Sequence, residues 1–439
     1  GRPLRGSLPR RRPSWRPLWA RRGGRHRRRS RSGTCRPTAP GAAWRVNIDV
    51  AGTLSTASMP GLEAWRPEST APIVGNLVDA GAIVVAKTNM PEAALGAWGF
   101  SPVHGTTKNP RNAKYTCGGS SSGTAAGIAA GMAACGLGSD TGGSLRIPAE
   151  CCGVVGMRPS KGRYPRSGVV PCMVDSDTPG VMAATVADLA VLDAVIAGEP
   201  LADYRPAGLS GLGVAVPADM SADAHPGNRR ALDLAVSALS KSGASCKTDG
   251  VDFRPLTACK HETPLGLNEK GLRDYLASHP SCRATAEEIL ERSAPMVKRL
   301  FEQSPDTNAV GLSPDEYKER REKYDAEQLE WEARYAKYFA DNGVDVVLTP
   351  CTAGPPPALQ TEQAHADFMA TFKNHALLLK CTGDPTFNEL RIPSIAVPTA
   401  ARHEGLEGAP MPAGILLWGK PEDDKRLIQV AMALELALQ

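Results

Sequence analysis

The pattern of apolar and polar positions divides the chain, from Asn47 onward, into short strands and longer helices. Residues 82–87, AIVVAK, form a continuous apolar run that predicts a buried strand. Ahead of it the pattern predicts a helix through VGNLVDAG, capped by Ser69 and ended at Gly81. Residues 123–135 read as a helix of small side chains. Helical patterns recur at 185–196 and 227–242, with a strand at 212–216 between them. The region 263–341 is charged and helical. Within it Ser313-Pro314-Asp315-Glu316 combines a capping serine, a proline in first position and a glutamate three residues on, which starts a helix running to Ala340. A strand is predicted at 344–348, a helix near 365–380, strands at 394–397 and 414–418, and a last helix from Pro421. Strands alternating with helices predict an α/β protein: a central mixed β-sheet covered by helices on both faces.

That pattern stops at the N-terminal side of Asn47. Residues 1–46 hold fifteen arginines and no Asp, Glu or Lys, and they carry no apolar period. Such a segment buries too little apolar surface to order itself, so residues 1–46 are expected to be a disordered tail. Three origins fit the composition: an organelle transit peptide, a basic arm, or out-of-frame translation of GC-rich DNA. The body, 47–439, then has 36 basic against 46 acidic residues. The net charge of +5 therefore belongs to the tail. A mildly acidic body argues against a nucleic-acid partner. No run reaches the ~18 apolar residues of a membrane span. The eleven cysteines include no CxxC or Cys/His ligand spacing, and they read as reduced thiols of a cytoplasmic protein, organellar if the tail is a transit peptide.

The chemistry concentrates in GGSSSGTAAGIAAGMAACGLGSDTGGS, residues 118–144. Acyl transfer needs a hydroxyl exposed on a turn and backbone N–H groups converging where the oxyanion forms. Thr141-Gly142-Gly143-Ser144 supplies successive N–H donors ending in a hydroxyl, and glycine lets the backbone approach a substrate closely. Asp140 and Arg146 flank the turn, and a structural ion pair accounts for them better than direct catalysis. Gly119 to Gly123 also matches the GxSxG nucleophile turn, but no histidine sits in a triad context. There is no GxGxxG after a strand and no GxxxxGK[ST], so nucleotide binding is unsupported.

Gly118-Gly119-Ser120-Ser121, followed by Ser144 in GGSLRIPA, resembles the amidase-signature hydrolases. The likeness continues through AGAIVVAKTNMPE, GMRPSKGRYPRSGVVP, DTPGVMAATVADLA, DVVLTP and IPSIAVPT, and so covers 47–439. It implies the amidase-signature fold and an amidohydrolase that cleaves a linear amide through an acyl-serine. It further implies a Ser–cis-Ser–Lys triad: Ser144 as nucleophile, Ser120 in the middle behind a cis peptide, and Ser121 in support. Thr141, Gly142, Gly143 and Ser144 would form the oxyanion hole. No metal and no cofactor are implied; the partner is a small-molecule amide, and a homodimer stays open. GRYPRSGVVP (162–171), followed by the segment that begins DTPGVMAATVADLA (177–190), leans towards the indoleacetamide and mandelamide hydrolase branch. An amidotransferase subunit is the alternative enzyme, and a ligand-binding pseudo-amidase the non-enzymatic one.

The pattern breaks at one place. Family members carry a segment like KDNIDVAG, where this chain has WRVNIDVAG. The lysine position falls on Arg45, and Val46 replaces the aspartate. The domain is also expected to be shorter at its N-terminus than its relatives. A guanidinium does not become a neutral base at physiological pH, so activity is expected to be impaired. Lys87 is not expected to substitute.

Overall fold

The computed structural model describes residues 41–257, 268–302, 313–359, 381–382, 388 and 390–439. The tail through residue 40 and the helix anticipated near 365–380 lie outside them. Ten strands of the described residues build one mixed sheet. In chain order they are β1 (Gly41–Arg45), β2 (Ile83–Thr88), β3 (Cys135–Asp140), β4 (Val155–Arg158), β5 (Thr178–Ala183), β6 (Gly213–Ala215), β7 (Ser245–Lys247), β8 (Val346–Pro350), β9 (Ser394–His403) and β10 (Met411–Trp418). Their spatial order is β2-β1-β3-β5-β4-β9-β10-β8-β6-β7. Strands β1 and β6 run parallel to both neighbours. The joins from β3 across to β8 are antiparallel.

The helices that position the site or cover the sheet are α1 (Pro72–Asp79), α2 (Ser122–Ala129), α3 (Arg146–Cys152), α4 (Val186–Ala197), α5 (Pro226–Lys241), α6 (Pro295–Glu302), α7 (Pro314–Asn342) and α8 (Asp424–Ala437). Alternate residues of a strand face opposite sides, and in the middle of this sheet both sides are apolar. Ile395, Val397, Ile415 and Leu417 pack with Leu189 of α4 and Ile428 of α8. Ala396, Leu416 and Trp418, from the same two strands, pack with Ala149 of α3 and Tyr335 and Phe339 of α7. Each fully buried Leu, Ile or Val contributes about 1.5–3 kcal/mol, so helices on both faces are what this pattern demands.

Local signals set several boundaries. Thr185 caps α4, its side chain accepting from the Asp188 N–H. Ser313 and Glu316 form a reciprocal capping box at the start of α7, which closes on Gly343 at φ 59°. Ser69 does not cap α1. The cap position is Ala71, because Pro72 fits only the first turn and forces the residue before it out of the helical region.

Three boundaries differ from the pattern-based reading. Helix α2 ends at Ala129, before Gly131 turns the chain at φ +73°, and Cys135 already belongs to β3. Strand β2 is not buried: it is the edge of the sheet, with Ile83 53% and Val85 50% exposed. An apolar run signals a strand but not its place in the sheet. The break in composition at residue 46 is not the edge of the fold either. Gly41–Arg45 is strand β1, lying between β2 and β3. Its small residues permit a close approach to β3: a Cβ on Gly136 would sit 2.5 Å from the Ala43 carbonyl oxygen.

Candidate active site

Strand β3 ends at Asp140, and the turn Thr141–Ser144 carries the chain into α3. Gly143 adopts φ +112°, and a Cβ there would lie 2.7 Å from Thr382 Oγ1, so this bend requires glycine. Beside it the chain from Cys117 to Ser121 leads into α2. The Gly119–Ser120 peptide bond is cis. The two segments meet backbone to backbone, the Ser121 N–H donating to the Ser144 carbonyl at 3.0 Å. Strand β1 delivers the third component, Arg45, from its C-terminal end.

Arg45 is fully buried, and its hydrogen bonds all go to neutral acceptors. Nη2 donates to Ser120 Oγ at 2.9 Å. Nη1 donates to Ser121 Oγ at 3.2 Å, to the Ser139 carbonyl at 3.0 Å and to Ser139 Oγ at 2.9 Å. Nε points at Met90 Sδ, 3.2 Å away. Burial pushes the guanidinium down to about 10, against the nearby Asp177 and Asp140, and it stays protonated at neutral pH. Ser121 Oγ in turn donates to the Ser139 carbonyl at 3.2 Å. Lys87 is committed elsewhere. Its Nζ donates to the Ile48 and Leu54 carbonyls at 2.6 and 2.9 Å, and burial lowers its ammonium to about 8.

Asp140 and Arg146 lie under the turn as a structural pair. Arg146 Nη2 meets Asp140 Oδ1 at 2.8 Å, both side chains fully buried. Asp140 also accepts from the Gly143 and Leu145 N–H groups at 2.8 and 2.9 Å. Burial alone would raise this carboxyl; Arg146, Arg158 and the Leu145 N–H outweigh it and hold the group well below the usual carboxylate range. The Gly143 N–H therefore points inward to Asp140, which removes it from the set of oxyanion donors read from the motif. The N–H groups of Thr141, Gly142 and Ser144 make no hydrogen bond to a described residue.

Ser144 is partly exposed, and its Oγ makes no hydrogen bond to a described residue. It faces a cavity of about 270 Å³ shared with Gly119, Thr141 and Gly142. The walls are apolar: Leu95, Trp98, Ile147, Met173 and, from α6, Leu300. No charged side chain lines it among the described residues. The structure thus brings Ser144, Ser120, Ser121 and Arg45 to one end of the sheet. The hydroxyl of Ser120 is engaged by Arg45 rather than by Ser144.

Several contributors escaped the motif reading. Ser139 accepts from Arg45 one residue before the motif aspartate. Asp177, in the TPG-containing segment, accepts from Thr141 Oγ1 and from the Cys172 and Met173 N–H groups at 2.7 and 3.1 Å, and so ties the cavity wall to the turn. Asn388 and the Thr382 carbonyl hold Arg146 at 2.8 and 2.9 Å from far along the chain. Only Asp177 carried a local signal, its turn-forming neighbourhood.

The geometry has counterparts among known proteins. A family model described as Amidase matches residues 46–428. The chain is 30% identical over 410 residues to mandelamide hydrolase of Pseudomonas putida, covering 90% of this chain and 78% of that one. It is 29% identical over 405 residues to indoleacetamide hydrolase of Agrobacterium vitis, covering 90% and 82%. A solved structure titled as an amidase superposes with a TM-score of 0.68 at 26% identity, covering 92% of this chain and 86% of the other.

Proposed function

The chain belongs to the amidase family, and from that premise we propose that Ser144 is the nucleophile of an amide hydrolase in which Arg45 occupies the place of the proton-accepting lysine. In this reading Ser144 Oγ attacks the carbonyl carbon of an amide held in the apolar cavity. The oxyanion accepts from the N–H groups of Thr141, Gly142 and Ser144, which bond to no described residue, each such donor being worth ~10²–10³ in rate. The C–N bond breaks as the amine takes up the proton given up by Ser144. Water then hydrolyses the acyl-serine, one of its protons returning to Ser144 Oγ and its oxygen going to the acid.

The proton of Ser144 must leave through Ser120 to a base. The contact of 2.9 Å from Arg45 Nη2 to Ser120 Oγ carries the reading, because it puts a permanent donor where an acceptor is required. Loss of positioned acid–base catalysis costs ~10²–10⁴ in rate, so the chain as it stands turns over amides very slowly. The apolar walls favour a substrate carrying an aryl or alkyl group, which fits relatives named for mandelamide and indoleacetamide. No helix among the described residues is long and apolar enough to cross a membrane.

The test is a gain of function. Arg45→Lys should raise hydrolysis of phenylacetamide by at least about a hundredfold, and adding Ser144→Ala should remove the gain. A parent chain already hydrolysing at ordinary enzyme rates, or an Arg45→Lys variant no faster than the parent, defeats the proposal.

A further inference from the structure

Arg45 does more than remove a base; it reverses the direction in which the site offers hydrogen bonds. A hydroxyl has one proton and two lone pairs, and a guanidinium only donates. Arg45 therefore takes lone pairs on Ser120 and Ser121, and the Ser120 proton has no acceptor at that end. Thr141, Gly142 and Ser144 line the cavity, and their N–H groups make no hydrogen bond to a described residue, so they too are available as donors.

Charge points the same way. Arg45, Arg146 and Arg158 lie behind the turn with at most 1% of their surface exposed. Asp140 pairs with Arg146 at 2.8 Å and faces Arg158 at 3.6 Å. Asp177 is held by Thr141 and by backbone N–H groups. Even with both carboxylates ionised, one positive charge of the three is left over. Arg45 is the guanidinium without a carboxylate within 4.0 Å among the described residues. A buried charge lacking a counter-ion is costly, and an anion in the cavity, whose wall includes Gly119 next to Arg45's partner Ser120, offsets part of that cost.

We propose that the Ser144 cavity is a binding site for a monocarboxylic acid with an apolar aryl or alkyl tail, in preference to the corresponding amide. The carboxylate accepts from the Ser144 hydroxyl and the N–H groups of Thr141 and Gly142, and the tail lies against Trp98, Ile147 and Leu300. The inference rests on the reading of this cavity as the amide site, and it concerns binding alone.

Isothermal titration of the full chain with phenylacetate and phenylacetamide tests it, because the two share shape and differ in charge. Phenylacetate should bind at least about tenfold more tightly, the worth of one hydrogen-bonded charge. Arg45→Met should abolish that preference. Leu300→Trp, which adds bulk to the cavity wall at a residue outside Arg45's hydrogen bonds, should weaken both ligands and remains informative if Arg45→Met does not fold. Equal or weaker binding of the acid by the parent chain overturns the inference. If Arg45→Lys then hydrolyses phenylacetamide, the amidase reading survives alone. If Arg45→Lys is inert and Leu300→Trp alters neither ligand, both readings fall.

Discussion

Asp140 accepts four hydrogen bonds, from two backbone N–H groups and from Arg146 Nε and Nη2, while Arg158 stands at 3.6 Å. It is the carboxylate that offsets the guanidinium groups gathered behind the Ser144 turn. Removing one partner of a buried ion pair typically costs 3–5 kcal/mol, because the other charge stays buried. Asp140→Asn leaves the shape nearly intact and removes the charge, so it should lower unfolding free energy by about 3–5 kcal/mol, read from urea denaturation. Arg146→Met is less informative, since it also breaks bonds to Thr382 and Asn388. A loss below about 1 kcal/mol for Asp140→Asn would show that Asp177 alone balances these cations.

Two serines that look alike as helix starts behave differently at the scale of elements. Ser313 accepts from the Glu316 N–H and its own N–H is taken by the Glu316 carboxylate, so Ser313→Ala should cost about 1 kcal/mol. Ser69 is exposed and caps nothing, because Pro72 fixes the start of α1 and Ala71 is the cap. Ser69→Ala should shift the unfolding midpoint by no measurable amount, and comparing the two by chemical denaturation separates a capping motif from a coincidence of residue types. The same contrast explains what could be read from the chain. Helices with their signals in adjacent residues, such as α4 and α7, were legible nearly to their ends. Strands β3, β4 and β5 were not: CGLGSD and TPGVMA are glycine-containing, and central burial rather than β-branched side chains makes them strands. Strand β1 was hidden because GAAWR continues an arginine-rich run, and only its neighbours β2 and β3 give it a role. At the site, Ser120, Ser121 and Ser144 were legible because one contiguous motif carries them. Arg158, Thr382 and Asn388 were not, since tertiary packing alone brings them to Asp140 and Arg146.

Across the whole molecule, buried acids decide how stability follows pH. Burial raises Glu92, Glu150 and Glu435 from 4.5 to about 7 each, and Asp424 from 3.8 to about 6. Between about pH 4.5 and 7 the folded chain holds protons at these groups that the unfolded chain has released, so stability falls as pH rises through that window. Two imidazoles oppose the trend: burial lowers His403 from 6.5 to about 4 and lowers His104 as well, and their contributions are lost as pH falls through that range. Asp140, depressed in the fold, stabilises throughout and weakens only below about pH 4. Lys87, lowered to about 8, adds stability only as pH climbs beyond that value. Four raised carboxyls outweigh the two imidazoles, so the net slope is negative across about pH 4.5 to 7. The urea midpoint should therefore be higher at pH 5.5 than at pH 8. Glu150, which accepts from Asn228 at 2.8 Å and the Gly414 N–H at 3.0 Å, is a large buried contributor, and Glu150→Gln should flatten the dependence. A midpoint that rises from pH 5.5 to pH 8 in the parent chain would mean these carboxyls stay ionised in the fold, with water or local rearrangement solvating them.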